Sequence, residues 1–188
     1  RPTRLCLIGP GRRPGSRVPR GPGTVRSPGP SWSAAELGGW VQADLEGVVG
    51  TAMESHLDEV FQSARDRSVD LLILRLDTPG GLVSSMQAMT GKILNSSVPV
   101  VVWVAPSGAR AASAGAFLVQ SAAVAVMASG THVGAAHPVG ASGDLAEGDL
   151  KKKVTNDLAA QMRSLASERG RNAGTAAKMV TESLSLTS

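Results

Sequence analysis

The chain has 188 residues, enough to bury the core of one globular domain, with 42% hydrophobic and 18% charged residues. Aromatics make up 3% with no Tyr, which argues against stacking on nucleic-acid bases, and the single Cys6 excludes an internal disulfide or a cysteine-built zinc site. The net charge of +4 is uneven: residues 1–35 hold seven Arg and no acid, leaving 12 basic against 15 acidic residues beyond, so the body lacks a nucleic-acid footprint.

Residues 1–31 carry seven Pro and six Gly and show neither helical nor strand periodicity. Such a segment cannot bury enough apolar surface to offset its ordering entropy. We read residues 1–39 as a disordered Arg/Pro/Gly-rich leader and residues 40–188 as the folded domain. The leader has no apolar h-region of a signal peptide, and the chain begins with Arg rather than Met, as a fragment or a misplaced start would. No apolar run approaches the ~20 residues of a membrane-spanning helix.

From Trp40 the pattern becomes regular. Val41–Val49 has the character of a weak strand. Met53, Leu57, Val60, Phe61 and Ala64 then share one helical face. Leu71–Leu76 is an apolar run of strand length, and Leu82, Met86, Met89 and Ile93 return to helical spacing. The β-branched run to Val104 predicts a strand buried on both faces. Small residues over Ala109–Val119 predict a helix, Ala123–Met127 a strand, and the stripe Val154, Leu158, Met162, Leu165 another helix. Asn172–Glu182 predicts a last helix. Strands alternating with helices give an α/β fold built from parallel βαβ units.

Four segments hold residues fit for chemistry. Asp77-Thr78-Pro79-Gly80-Gly81 follows a strand and precedes a helix; its glycines allow backbone amides to face a developing negative charge. A plain strand-to-helix turn has the same composition. Ser113 sits among Ala and Gly, as a nucleophile needing access requires, although close helix packing selects the same neighbours. Lys151, Lys152 and Lys153 precede the Val154 stripe. A lysine at a helix start is pushed toward the neutral amine that serves a serine as general base, and spacing alone does not choose among the three. His132 and His137 flank a Gly-containing loop; with no third ligand in register, a metal site receives little weight, and His137 stands as a candidate base.

Taken together, Leu74–Gly81, Ala112-Ser113-Ala114-Gly115, Gly134-Ala135-Ala136-His137-Pro138, Lys153-Val154-Thr155-Asn156-Asp157, Gly170-Arg171-Asn172 and Ser183-Leu184-Ser185-Leu186-Thr187 resemble the NfeD-type membrane-bound serine proteases. These are the partners of stomatin-like proteins. The resemblance spans about residues 41–188. It implies a superhelical spiral of βαβ units similar to the Clp protease proteolytic subunit and the crotonases, C-terminally truncated after Ser188. It further implies a serine endopeptidase with a Ser113–Lys153 dyad and an oxyanion hole of backbone amides from Gly81, Gly80 and Ala114. The implied substrate is an apolar segment of a stomatin-like membrane protein. A homodimer or higher homo-oligomer, an extracytoplasmic protease domain, and no cofactor, metal or nucleic-acid partner complete the expectation. His137 lies 24 residues after Ser113, near the spacing at which the Clp subunit carries its histidine base, and stays open as an alternative to Lys153. A crotonase-like acyl-CoA enzyme and an inactive binding scaffold are the other open readings.

Overall fold

The computed structural model describes residues 39–140, 143–144 and 148–188. The leader expected over residues 1–39 lies outside the described residues, Gly39 apart.

Strand β1 (Trp40–Glu46), helix α1 (Thr51–Asp66), β2 (Leu71–Asp77), α2 (Val83–Leu94) and β3 (Val100–Val104) follow one another as parallel βαβ units. β4 (Arg110–Ala112) leads into α3 (Ala114–Ser121), and β5 (Val124–Met127) returns beside β3. β6 (His132–Gly134) and a small hairpin of β7 (Val139–Gly140) and β8 (Gly143–Asp144) come next. α4 (Asp149–Glu168), α5 (Ala173–Thr181) and β9 (Ser185–Thr187) close the described chain. The larger sheet runs β1-β2-β3-β5, all parallel, and a second sheet runs β4-β6-β9.

The apolar periodicities become the core. Met53, Leu57, Val60, Phe61 and Ala64 are the buried residues of α1. That helix ends with Ser68 at φ 50°, where the amides of Ser68 and Val69 bond back to the carbonyls of Arg65 and Ala64 and satisfy its last turn. Leu72, Leu74 and Leu76 of β2 and Val100, Val102 and Val104 of β3 point into the same core. Each such side chain contributes about 1.5–3 kcal/mol when fully buried. Asn172 caps α5 by accepting from the Thr175 amide at 2.8 Å.

Three expectations change and one strand is added. β3 is sealed on one face only: Val101 and Trp103 remain half-buried on the other. Residues 110–112 are strand rather than helix, because Ala111 is claimed by Thr78 on one side and Val133 on the other. α4 begins at Asp149, five residues before the apolar stripe; its first turn buries no side chain, and so no apolar stripe marks it in the sequence. Ser185–Thr187, exposed and without an element assigned from the sequence, is a strand because β6 offers it a partner: Leu186 pairs with Val133.

Candidate active site

Two chain segments meet at the C-terminal end of β2. Thr78 donates its amide to the Arg110 carbonyl at 2.7 Å and accepts the Ala112 amide at 3.1 Å. The Asp77 carboxylate accepts the Arg110 amide at 3.0 Å. The Pro79–Gly81 turn is thereby zipped to the strand that delivers Ser113.

Ser113 itself is half-buried, N-terminal to α3, with φ 52° and ψ −115°. A side chain pays of order 1–3 kcal/mol to sit there, and such strain concentrates at functional sites. Its amide bonds the Gly134 carbonyl at 2.9 Å, which fixes the turn from the β6 side. All eight residues of α3 are buried, so the helix cannot shift to relieve the strain. The amides of Ala114 and Gly115, in the first turn, have no carbonyl of their own helix to reach.

The two glycines do different work. Gly80 is buried, has φ +114°, and brings its Cα against Ser113: a Cβ there would lie 2.6 Å from Ser113 Cβ and 3.1 Å from Oγ. Its amide donates to Thr78 Oγ1 at 3.0 Å. Gly81 is exposed and bridges Val49 in parallel fashion, with the Val49 amide on Gly80 O and the Leu82 amide on Val49 O, each at 2.8 Å. In that pattern the Gly81 N–H points away from Val49. A Cβ on Gly81 would meet Val49 O at 2.0 Å, so only glycine fits. Gly115 is glycine for packing, since a Cβ there would meet the Thr78 methyl at 2.5 Å.

Lys151, Lys152 and Lys153 occupy the third to fifth positions of α4 rather than preceding it. The helix-dipole argument, which fades beyond the first turn, therefore applies less to Lys153 than its sequence context suggests. Lys153 is exposed, and among the described residues no hydrogen bond joins it to Ser113. His137 is half-buried, with Nδ1 3.0 Å from the Val180 carbonyl. A carbonyl only accepts, so Nδ1 carries the proton in this contact and Nε2 is the free lone pair of the neutral ring. His132 lies in β6, paired with Arg110 of β4 and Thr187 of β9, and no group of three or more His, Cys, Asp or Glu among the described residues is placed to hold a metal.

Sequence reasoning overlooks two supports. Arg169 Nε and Arg171 Nη1 donate to the carbonyls of Ser121 and Gln120 at 2.8 and 2.9 Å, satisfying the far end of α3. Burial, and then the neighbouring Arg169, push the Arg171 pKa below its ordinary value. The only local signal is a pair of arginines flanking Gly170 between two helices. The other support, the Thr78 hydroxyl, carries no local signal at all.

Residues 42–188 match the family of the NfeD1b N-terminal domain. The chain belongs to that family. This NfeD1b domain is 38% identical over 131 residues to the membrane-bound protease PH1510 of Pyrococcus horikoshii, which covers 69% of this chain and 30% of that protein. Among solved structures it is similar to the 1510-N membrane-bound stomatin-specific protease as a serine-to-alanine mutant, with TM-score 0.71, 34% identity, and coverage of 79% of this chain and 71% of that one. A lysine-to-alanine mutant of the same protease, in complex with a substrate peptide, superposes with TM-score 0.71 at 34% identity, over 79% and 67% of the two chains. ClpP1 of Listeria monocytogenes, 16% identical, matches with TM-score 0.57 over 78% of this chain and 82% of its own. The NfeD1b domain thus has the ClpP-like α/β fold that the sequence resemblance implies. It spans less than a third of the length of PH1510. No helix among the described residues is long and apolar enough to cross a membrane.

Proposed function

We propose that this NfeD1b domain is a serine endopeptidase in which Ser113 attacks a peptide carbonyl and Lys153 is the general base. The observation that carries the reading is Ser113 itself: a strained serine at the start of a buried helix, with Gly80 packed against its side chain. The relatives named as proteases, one trapped as a lysine-to-alanine mutant with a substrate peptide, support it.

In this mechanism the Lys153 amine takes the Ser113 proton as Oγ bonds to the scissile carbonyl carbon. The carbonyl oxygen becomes an oxyanion held by the amides of Gly81 and Ala114. Removing one such donor costs on the order of 10²–10³ in kcat in analogous hydrolases. Gly80 contributes close approach, its own amide being engaged by Thr78. The ammonium of Lys153 returns its proton to the leaving amine, and water then releases the acyl group by the reverse sequence. Lys153 is exposed in this structure, and the reading requires its amine within hydrogen-bond reach of Ser113 Oγ when substrate is bound; catalytic hydrogen bonds commonly tighten only then.

The substrate in this reading is an apolar segment of a stomatin-like membrane protein. Val48, Leu82 and Val83 support it, being 66%, 56% and 44% exposed beside Gly81. A homo-oligomer with the protease domain on the extracytoplasmic side belongs to the same proposal. A second reading gives the base role to His137, favoured by the Nδ1–H···Val180 bond that leaves Nε2 free.

The test is labelling with a fluorophosphonate and hydrolysis of apolar peptides by wild type, Ser113→Ala, Lys153→Ala and His137→Ala. Adduct on Ser113, lost hydrolysis in Lys153→Ala and retained hydrolysis in His137→Ala are expected. The opposite pattern moves the base to His137. A wild-type protein that neither labels nor cleaves overturns the enzyme.

A further inference from the structure

The geometry points to Thr78 as the positioning residue of the oxyanion turn, acting through its hydroxyl on Gly80 and through its methyl on the first turn of α3. This rests on the peptidase reading of Ser113.

Thr78 is fully buried, yet it lies in no helix and only bridges a strand. Its backbone is committed on both sides to the β4 segment, through Arg110 and Ala112. Its Oγ1 accepts the Gly80 amide at 3.0 Å, and that oxygen lies 3.4 Å from the Gly80 carbonyl. Its methyl fills the space left by the missing side chain of Gly115. One residue therefore touches the strand before Ser113, the glycine packed on Ser113, and the helix after Ser113.

The hydroxyl does two things. It satisfies a buried amide that would otherwise be unpaired, and it thereby decides which of two adjacent glycine amides is available to substrate. With Gly80 N–H held inward and Gly81 tied to Val49 by its neighbours' bonds, the Gly81 N–H is the one left facing outward. Gly80, at φ +114°, has wide conformational freedom, and a turn of Pro-Gly-Gly has few bonds of its own to restrain it. Without the hydroxyl the peptide before Gly80 loses its bond, and the Gly80 carbonyl, which shares its peptide plane with the Gly81 amide, keeps the Val49 amide at 2.8 Å but loses the hydroxyl at 3.4 Å, so the direction of the Gly81 amide is held by one bond instead of two.

Thr78→Val keeps the shape and removes the hydroxyl; Thr78→Ser keeps the hydroxyl and removes the methyl. Two readouts apply to the folded protein. The first is steady-state hydrolysis of an apolar peptide. Thr78→Val is expected to lose about 10–10²-fold in kcat with KM within about twofold, as misaligning one oxyanion donor predicts, and Thr78→Ser to recover most of kcat. The second is amide hydrogen exchange at Gly80 and Gly81, which needs no activity. Exchange is expected to rise about tenfold or more at Gly80 in Thr78→Val and to stay near wild type in Thr78→Ser, as loss of a buried bond predicts. Equal kcat in Thr78→Val and wild type, or unchanged Gly80 exchange, overturns the assignment. If wild type proves inactive, the peptidase reading falls, and the exchange result alone decides whether Thr78 sets the turn. If Thr78→Val does not fold, poor kcat with normal stability and normal KM in Thr78→Ser would still overturn the hydroxyl's role.

Discussion

Gly80 and Ser113, 33 positions apart in sequence, touch: a Cβ on Gly80 would lie 2.6 Å from Ser113 Cβ. Gly80→Ala must therefore push the serine aside while also paying for a left-handed backbone at φ +114°. A displacement of about 1 Å costs on the order of 10²-fold in rate. Fluorophosphonate labelling of Gly80→Ala should slow by that order, and an unchanged rate would show that the contact does not set the position of Oγ.

The strain at Ser113 predicts an inversion of the usual order of substitutions. On the proposed peptidase reading, Ser113→Ala and Ser113→Gly are both expected to abolish hydrolysis. Glycine accepts φ 52°, so Ser113→Gly should be more stable than Ser113→Ala by about 1 kcal/mol, against the normal preference for alanine beside a helix. Urea denaturation of the two variants measures this.

The far end of the same helix is held by Arg169 and Arg171. Removing either leaves a buried carbonyl without its donor, which costs about 1–3 kcal/mol. Arg171→Ala should lower the urea midpoint and weaken labelling of Ser113 together. A loss of stability with full labelling would show that the two ends of α3 are not mechanically linked.

Lys92 of α2 bridges to α1, its Nζ 2.8 Å from the Asp58 carboxylate and 3.3 Å from Glu54. The hydrogen bond to Asp58 raises its pKa above the ordinary 10.5, burial opposes this, and Glu54 adds to the rise. A group whose folded pKa is raised contributes stability below its unfolded pKa and loses it as pH climbs through the folded one. Lys92→Met should thus be less stable than wild type at pH 7, by up to about 1 kcal/mol for so accessible a pair, and the gap should narrow above pH 10.5. Thermal melts across that range check the sign.

The parallel βαβ run and the core are legible along the chain. Periodicities such as Met53, Leu57, Val60, Phe61 and Ala64 place one apolar face per helix, and burial of that face is local in its logic. The sequence also marked Ser113 and the two glycines, because only glycine and a few small residues serve where backbones approach closely. Tertiary structure alone decided what surrounds them. Residues 110–112 and 185–187 are strands only because Thr78, Val133 and their neighbours supply distant bonding partners, which no local propensity encodes. The division of labour between Gly80 and Gly81, the arginines at the end of α3 and the hydroxyl of Thr78 arise the same way. Each is a bond between residues far apart in the chain, and a pattern read along one dimension carries no record of it.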